Sequence, residues 1–441
     1  MSELEVLIEG DLVARIRMNK SGRLSLDYES DWRDSTSGYP LSVSMPLAEI
    51  IYSHKAVWSY LWNLLPENPN ILQRWGQQFH VSASSPFELL EFVGADVPGA
   101  AQFFPPAALE AVQSQQTPAI DWIGADELAQ RLAQLQTDIA AMRRPGDKGK
   151  MSLPGAQAKT AFCRDERRRR WGVPSGRAPT THIFKPAIPG LDGLVENEHL
   201  CQDIARRLSL LAARSSVLTL NETTYLVIER FDRLPPARGE PFVRRVHQED
   251  MCQALGLMPG AKYEQDGGPG IQDIVTLIRR VSSNPDDDVY RFIDANAFNW
   301  LIGGTDAHAK NYSLLIGADN EIRLGPLYDL SSQLPYPDLI DQRVAMKIGD
   351  EYNIPLIGFR EWHALASACA IDSELLMKRL RRMADDLPDA VSAARDDALA
   401  GGLNREVVTT LADRLIQHAK ARRATLNAAA SKRRRLRKVV S

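Results

Sequence analysis

Two acidic residues and one amide carry most of the chemistry that this sequence offers. Asp306 and Asn311 lie five positions apart, just after two glycines at 303–304, and Asp329 follows further along the chain. Carboxylate and amide oxygens are the ligands that Mg²⁺ prefers. A carboxylate placed beside a substrate hydroxyl group can also accept its proton. These residue types therefore predict Mg²⁺-dependent chemistry on a hydroxyl group.

The elements predicted around these residues follow the order of a protein-kinase active site. Apolar residues recur at helical spacing over 289–301, with Pro285 before them and the two glycines after them. Residues 312–316 and 321–324 predict the two strands of a hairpin. Kinases place a catalytic Asp, a metal-binding Asn five residues later, and a second metal-binding Asp beyond a hairpin. We therefore predict a catalytic base and two metal ligands in this order.

Two neighbours of Asp306 extend this hypothesis. Lys310 can neutralise a phosphate that is being transferred, and His308 is a candidate for a direct role. The alternative is that Asp306 and Asn311 only satisfy backbone groups of a turn, as such residues commonly do. His308 would then be an ordinary packed and hydrogen-bonded side chain.

A nucleotide site is predicted upstream of these residues. Residues 151–162 include a loop of small residues, whose backbone amides can cradle phosphates, and Lys159 adds a positive charge. Residues 181–186 predict a short strand that carries Lys185. In kinases a strand lysine reaches the α- and β-phosphates and pairs with a glutamate of the next helix, for which Glu198 is the candidate. The alternatives are a flexible surface turn and an ordinary edge-strand lysine.

The strand predicted over 223–230 lies where kinases have the hinge that meets adenine. Backbone groups of Glu229 and Phe231 are candidates for reading the edge of the base, and Asp232 for binding the ribose. The alternative for Asp232 is a salt bridge to Arg230 or Arg233.

Composition limits the class of protein. The chain has 441 residues and a net charge of −3, which fits two or three domains and excludes a polycation built for nucleic acid. Its 4 cysteines form no C-x-x-C pair, which argues against a zinc site or a disulfide framework and suits a reducing cytosol. No apolar run approaches the roughly 20 residues that cross a bilayer. We expect a cytoplasmic protein with no membrane partner.

Other segments give simpler predictions. Strands are expected within 5–47 and over 97–104, and helices over 56–65, 87–92 and 126–142. A helix is expected to start within 247–257, and a helical bundle over 359–428. Arg164 and the arginines at 167–170 indicate a solvated hairpin tip, with contact to an anion as the alternative. The basic segment 432–438 is expected to be a disordered tail or a non-specific contact to DNA phosphates.

Taken together, the motifs resemble the HipA family of kinase toxins from bacterial HipBA toxin–antitoxin modules. The matching segments follow the family's order and cover nearly the whole chain: 155–160, 181–185, 229–233, 248–253, 262–270 and 305–311. The resemblance implies an α+β, bilobal protein-kinase-like fold. It further implies an N-terminal β-rich module at 1–107, the rest of the N-lobe at 108–245, and a helical C-lobe at 246–441.

The resemblance also implies ATP and Mg²⁺ as cofactors and assigns roles. Asp306 is the base of a catalytic set with His308 and Lys310, and Asn311 and Asp329 hold Mg²⁺. The implied nucleotide contacts are Ser152, Leu153, Pro154, Gly155, Ala156, Gln157, Lys159, Lys185, Glu229, Phe231, Asp232 and Asn311. Ser152 matches the serine that the family autophosphorylates, which ejects the loop and inactivates the enzyme.

The function implied by the resemblance is a serine/threonine kinase that phosphorylates an aminoacyl-tRNA synthetase, above all glutamyl-tRNA synthetase. Translation then stops, and growth arrest and persistence follow. A HipB-like helix-turn-helix antitoxin is the implied partner, with which the kinase acts as corepressor on operator DNA.

The sequence departs from the family at three places, and other functions stay open. Pro154 stiffens the loop, Ala307 stands where some members have glycine, and the basic tail after Lys432 is not a feature associated with the family. A catalytically silent partner of an antitoxin–operator complex and a small-molecule kinase with the same apparatus are the alternatives.

Overall fold

The computed structural model describes residues 2–144, 146–336 and 342–439, the last twelve of these by their backbone alone. The chain forms two compact units, each assembled from separate stretches of sequence. Unit 1 comprises residues 1–187, 218–259 and 313–325, and unit 2 comprises 188–217, 260–312 and 326–441.

Strands and helices are labelled in chain order. The strands are β1 (Ser2–Ile8), β2 (Asp11–Met18), β3 (Leu24–Tyr28), β4 (Ile51–Tyr52), β5 (Gln102–Phe104), β6 (Ala119–Ile123), β7 (Thr160–Asp165), β8 (Arg170–Ser175), β9 (His182–Pro186), β10 (Ser215–Leu220), β11 (Thr223–Glu229), β12 (Arg233–Leu234), β13 (Arg244–Arg245), β14 (His247–Asp250), β15 (Ser313–Ile316), β16 (Ile322–Leu324), β17 (Arg343–Ile348) and β18 (Glu351–Asn353). The α-helices are α1 (Ser30–Asp34), α2 (His54–Trp62), α3 (Pro69–Phe79), α4 (Pro86–Val93), α5 (Leu109–Gln113), α6 (Ala125–Thr137), α7 (Leu194–Arg207), α8 (Met251–Ala254), α9 (Ile271–Val281), α10 (Pro285–Ile302), α11 (Phe359–Ala368), α12 (Ser373–Ala400) and α13 (Arg405–Val439).

Unit 1 is rich in sheets. Its N-terminal sheet has the order β4-β3-β2-β1-β5, and the strands that pair in it are antiparallel. In β3 the buried residues alternate with half-buried ones, so Leu24, Leu26 and Tyr28 face the core, as the two-residue period of a strand requires. Helices α2 and α4 supply the other side of this core. The N-terminal module thus combines a sheet with helices, as the predicted α+β class requires.

The second sheet of unit 1 has the order β10-β11-β9-β7-β8-β6. Its core gathers aromatic rings, of which Phe162 and Phe184 meet edge to face at 5.4 Å between ring centroids. Strand β9 lies inside this sheet, between β11 and β7. A third, three-stranded sheet joins β14, β15 and β16.

Unit 2 is dominated by helices. Helix α10 begins with Pro285 at its first turn, followed by three aspartates that suit the positive end of the helix dipole. Nearly all of its residues from Asp288 onward are buried, and it packs against α9, α12 and α13. The guanidinium of Arg379 on α12 donates to Asp294 on α10 at 3.1 Å. The helical bundle predicted over 359–428 is present as α11, α12 and α13.

Several predicted elements differ from the structure. Residues His247–Asp250 form a strand, and Asp250 then caps the short helix α8 in a capping box with Gln253. The acidic residues Glu249 and Asp250 therefore precede the first helical turn. Helix α3 was not predicted; it begins with Pro69, because proline is favoured at the first position of a helix.

Boundaries differ in three further places. The helix predicted over 126–142 ends at Thr137, and of the strand predicted over 97–104 only Gln102–Phe104 forms. The backbone of 432–438 continues α13, while the side chains of this basic segment lie outside the described residues. Among the helices of the described residues, none combines the length and the apolarity that a membrane span needs.

Candidate active site

The loop that carries Asp306 leaves α10 through two glycines. Gly303 caps the helix in the left-handed conformation at φ 66°, and the Gly304 amide donates to the Asn299 carbonyl at 2.8 Å. A Cβ atom on Gly303 would lie 2.9 Å from Leu334 Cγ. Glycine is therefore needed here both for the backbone conformation and for the close approach.

Backbone and amide contacts fix the loop itself. The Asp306 carbonyl accepts from the His308 amide at 2.8 Å and from Asn311 Nδ2 at 2.9 Å. The Asn311 amide donates in turn to the His308 carbonyl at 2.9 Å. Because Asn311 Nδ2 faces the Asp306 carbonyl, the side-chain oxygen of Asn311 points elsewhere, as ligation of a cation would require.

The Asp306 carboxylate is exposed and is held by Tyr263, a residue for which no role was predicted. The Tyr263 hydroxyl donates to Asp306 Oδ1 at 2.5 Å, and the neighbouring Lys262 carbonyl accepts from the Ala309 amide at 3.1 Å. The segment 262–270 matched the family without a chemical explanation. Its hydrogen bonds show that it orients the acid and the loop.

His308 and Lys310 are buried in this loop. The His308 ring meets the Tyr263 ring edge-on at 4.9 Å between centroids, and the Tyr328 hydroxyl donates to the Lys310 carbonyl at 2.6 Å. His308 is thus packed in the way that the simpler alternative expected. A direct catalytic role for His308 or Lys310 stays a prediction.

Asp329 is exposed and has a left-handed backbone at φ 58°. A non-glycine residue is uncommon in this region, and such conformations cluster at functional sites. Hydrogen bonds hold the chain before it, where the Leu327 amide donates to the Leu211 carbonyl at 2.8 Å. They also hold the chain after it, where Asn197 Nδ2 donates to the Ser332 carbonyl at 2.7 Å and Asn197 Oδ1 accepts from the Ser332 amide at 3.0 Å.

The metal ligands predicted in unit 2 fit Mg²⁺ in type. Asn311 offers an amide oxygen and Asp329 an exposed carboxylate. The described residues contain no group of three or more His, Cys, Asp or Glu side chains that could hold a metal ion. Mg²⁺ is commonly held by one or two carboxylates together with substrate phosphates, so this small ligand set suits it.

The predicted phosphate loop in unit 1 is anchored on both sides. Ser152 is fully buried; its hydroxyl donates to the Leu64 carbonyl at 2.6 Å and its amide to the Asp96 carbonyl at 3.0 Å. The Gly155 carbonyl accepts from the Glu67 amide at 3.1 Å. A loop held by these hydrogen bonds is not the flexible surface turn that was the alternative prediction for this segment.

Gly155 and Lys159 are matched to each other within this loop. Lys159 Nζ donates to the Pro154 carbonyl at 2.7 Å. A Cβ atom on Gly155, which has φ 101°, would lie 2.5 Å from the same Nζ. The glycine therefore leaves room for the lysine to close the loop.

Lys185 lies on β9 inside the six-stranded sheet, opposite Leu226 of β11, and is only 5% exposed. The edge-strand alternative is therefore wrong. Burying a lysine on a central strand is costly unless it has a partner or a task.

Asp232 forms the ion pairs that were the alternative to a contact with ribose, and the ribose contact stays a prediction. Asp232 is 2% exposed, and Arg230 and Arg233 bind its carboxylate at 2.8 and 3.0 Å. Burial alone would raise its pKa, but the two guanidiniums hold the pKa of Asp232 well below its usual range. The ion pairs form because the Asp232 carboxylate points into unit 1, while Glu229 at the end of β11 remains exposed.

The same ion cluster contains Asp96, which the sequence analysis did not single out. Asp96 accepts from Arg245 at 2.6 Å and from Arg233 at 2.9 Å, and also from the Thr180 hydroxyl at 2.6 Å. Burial opposes ionisation, but the arginines hold the pKa of Asp96 far below its ordinary value. Together with its carbonyl bond to Ser152, Asp96 links the hinge to the start of the phosphate loop.

Comparison with known protein families identifies the chain. Residues 4–104 match the HipA N-terminal domain, and residues 151–391 match the HipA-like C-terminal domain. The chain is 34% identical to Y4mE of Sinorhizobium fredii, which is named as a kinase, over 89% of this chain and 92% of that protein. It is 31% identical to the serine/threonine-protein kinase toxin HipA of Shewanella oneidensis, over 83% of each chain. The chain belongs to the HipA family.

A solved HipA structure confirms the expected fold. The structure of the S. oneidensis toxin–antitoxin system, in which HipA is in complex with HipB and its operator DNA, matches with a TM-score of 0.79 and 26% identity. The match covers 95% of this chain and 96% of that chain. The α+β, HipA-type fold predicted from the motifs is therefore confirmed, whereas the predicted domain boundaries and site roles stay predictions.

Proposed function

We propose that this protein is an ATP- and Mg²⁺-dependent serine/threonine kinase, the toxin of a HipBA-type module. The observation that carries the proposal is the exposed Asp306 carboxylate, held by the Tyr263 hydroxyl on a loop that also fixes the Asn311 amide. An acid, an amide and a second exposed acid at Asp329 are the residue types that phosphoryl transfer uses in kinases. Membership of the HipA family supports the same assignment.

In this proposal Asp306 accepts the proton of the attacking hydroxyl group. The bond from Tyr263 fixes one carboxylate oxygen, so the other faces the substrate. Asn311 and Asp329 hold Mg²⁺, which neutralises charge on the phosphates when it is bound. Lys185 binds an ATP phosphate, and the loop from Ser152 to Gln157 covers the phosphates with Lys159 closing it. Backbone groups of Glu229 and Phe231 bind adenine.

Self-inactivation at Ser152 is part of the proposal. The Ser152 hydroxyl is buried and donates to the Leu64 carbonyl, so the loop has to leave this position before the hydroxyl can accept a phosphate. A phosphoserine could not return, because its charge would be buried without a partner. Mass spectrometry of the expressed protein should find phosphate on Ser152. Phosphate on other serines alone would contradict this assignment.

We further propose that the substrate is an aminoacyl-tRNA synthetase, with glutamyl-tRNA synthetase first. A HipB-like antitoxin binds the kinase and represses the operon on operator DNA. The support is the relative from S. oneidensis, which is named a kinase toxin and has been solved with HipB and operator DNA.

The direct test is transfer of the terminal phosphate of labelled ATP. Purified protein mixed with a cell lysate should label one protein band, and the label should require Mg²⁺. Expression without an antitoxin should arrest growth. A label only on a small molecule would replace the protein-kinase assignment by a small-molecule kinase. No label together with harmless expression would leave only the role of a silent partner in the operator complex.

A further inference from the structure

The hairpin formed by β7 and β8 ends in a run of charged residues that the proposed function does not use. Its turn reads Asp165-Glu166-Arg167-Arg168-Arg169-Arg170, with Arg164 just before it. The five arginines outnumber the two acids in a chain whose net charge is −3. The hairpin tip, defined here as residues 165–170, is thus a local positive site on an acidic protein.

An arginine–tryptophan pair stiffens each face of this hairpin. Arg164 and Trp171 are cross-strand neighbours, and the Arg164 guanidinium lies 4.9 Å from the centre of the Trp171 ring. On the opposite face the Arg170 guanidinium lies 3.9 Å from the centre of the Trp122 ring. Side chains of successive strand residues point to opposite faces, so the two pairs hold the stem from both sides.

Gly172 makes the second pair possible. It lies opposite Trp122 across the β6–β8 pairing, and a Cβ atom there would lie 2.9 Å from the Trp122 ring. Without that atom the ring lies across β8 and supports Arg170. Trp122 itself remains 37% exposed.

The acids of the hairpin tip are already engaged. Asp165 binds Arg168 at 3.4 Å and Arg170 at 3.2 Å, and Glu166 binds Arg164 at 3.1 Å. Arg167 and Arg169 are exposed, and neither forms an ion pair with any residue of the described ranges 2–144, 146–336 and 342–427. Both guanidinium groups are therefore available to bind an anion from solvent.

The backbone of the turn is strained at one of these two residues. Arg169 has φ 50°, in the left-handed region that glycine or asparagine would occupy at lower cost. A tight hairpin turn often requires a residue in this conformation, so Arg169 helps to fix the shape of the tip.

We propose that the hairpin tip binds the phosphate backbone of a nucleic acid through Arg167 and Arg169. Guanidinium groups match phosphate oxygens with two parallel hydrogen bonds, which lysine cannot do. The tip has no apolar residue that could enter a membrane. Duplex DNA and RNA share the phosphate chemistry, and the experiment separates them. This inference is independent of the proposed kinase activity.

The test measures binding of the full-length protein to labelled nucleic acid by fluorescence anisotropy at four salt concentrations. The probes are a duplex DNA of arbitrary sequence and a single-stranded RNA of the same length. Replacing Arg167 and Arg169 with alanine removes two phosphate contacts, which should lower the salt slope by about 1.8 for duplex DNA or about 1.4 for single strands. We expect at least about tenfold weaker binding at 0.1 M salt, which corresponds to a loss of about 1.4 kcal/mol in binding free energy.

The matched control replaces Arg23 and Arg238, two exposed arginines of unit 1 that also form no ion pair with a described residue. This control should keep the wild-type slope and stay within twofold of its affinity. If the tip variant loses affinity for the RNA probe alone, RNA is the partner. If it loses affinity for both probes, the tip binds the phosphate backbone that DNA and RNA share. Equal affinities of the tip and control variants would overturn the proposal. The proposal would also be overturned if nucleic-acid binding were lost only when the basic residues of 432–438 are changed to glutamine.

A kinase assay on the same variant shows whether the nucleic-acid proposal and the kinase proposal fail independently. The tip variant should transfer phosphate at the wild-type rate, because none of its residues is among the proposed nucleotide or metal contacts. A protein without kinase activity could still bind nucleic acid through the tip, so either assignment can fail alone.

Discussion

At the scale of single residues, the orientation of Asp306 depends on one phenol. Tyr263 lies far from Asp306 in sequence, yet its hydroxyl donates to the carboxylate at 2.5 Å and its ring packs edge-on against His308. A hydrogen bond to a charged group contributes roughly 1.5–3 kcal/mol. Tyr263 is therefore a positioning residue for the proposed base.

Replacing Tyr263 with phenylalanine keeps the ring and removes this bond. We expect kcat for phosphate transfer to fall about ten- to a hundredfold, because the carboxylate loses part of its orientation. The KM for ATP should change less than twofold. Steady-state kinetics measure both quantities.

Tyr290→Phe is the matched control, since the structure shows the Tyr290 ring against Arg379 and the change keeps that ring. A kcat of Tyr263→Phe equal to that of the control would show that the phenol has no part in positioning the acid.

The burial of Glu249 makes the stability of the protein depend on pH. It lies on β14, is 1% exposed, and accepts from the Val43 amide at 2.8 Å. Burial raises the pKa of Glu249 to about 8. The unfolded chain has an ordinary carboxyl pKa near 4.5. Between these two values the folded protein holds one more proton than the unfolded chain, so its stability falls as the pH rises.

Replacing Glu249 with glutamine should remove this dependence. The variant should have nearly the wild-type free energy of unfolding at pH 5. It should exceed the wild type by several kcal/mol at pH 8.5, because each unit of pKa shift is worth about 1.4 kcal/mol. Urea unfolding at both pH values measures the difference. Glu240→Gln, on an exposed residue, is the control and should show no such trend. A Glu249→Gln variant with the same pH profile as the wild type would contradict the raised pKa.

At the scale of elements, helix α7 and the Asp329 segment are joined by one side chain. Asn197 binds both the carbonyl and the amide of Ser332, and the Ser332 hydroxyl donates to the Ile302 carbonyl at 2.6 Å. The last residue of α10, the start of α7 and the chain after Asp329 therefore meet at one serine. The position of the proposed metal ligand depends on this junction.

Replacing Asn197 with alanine should weaken the use of Mg²⁺. The Asp329 segment loses two hydrogen bonds, and we expect the Mg²⁺ concentration for half-maximal activity to rise about tenfold. Titration of activity with Mg²⁺ at saturating ATP measures this.

Asn296→Ala is the control for simple destabilisation. Asn296 is also buried, and among the described residues its side chain bonds only to the Phe292 carbonyl of its own helix. If both variants had the wild-type Mg²⁺ requirement, the proposed role of Asn197 would be wrong.

Elements close to the predicted chemistry were predictable because their signals are local. Pro285 and the glycines at 303–304 mark both ends of α10, and the hairpin strands Ser313–Ile316 and Ile322–Leu324 lie where the pattern put them. Tyr263, Asn197 and Asp96 could not be found in this way. Each acts through a partner distant in sequence, and one sequence without relatives holds no signal for such contacts. The sequence could not decide between ion pairs and a ribose contact for Asp232 for the same reason, since only packing shows which way its carboxylate points.

At the scale of the whole molecule, the compact units do not follow the order of the chain. The hairpin β15–β16 belongs to unit 1, although the Asp306 loop directly before it belongs to unit 2. The sequence analysis predicted contiguous domains, and those boundaries stay predictions. The family and its fold were nevertheless predictable, because several short motifs in a fixed order are far more specific than any one of them.

The most direct test of the central claim compares Asp306→Asn with the wild type. The substitution keeps the size of the side chain and removes the proton acceptor. ATP binding, measured by calorimetry, should stay within about threefold, while phosphate transfer from labelled ATP should fall by about a thousandfold or more. Asp319→Asn, in the turn of the β15–β16 hairpin, should keep both properties. Near-normal transfer by Asp306→Asn would contradict the assignment of Asp306 as the catalytic base.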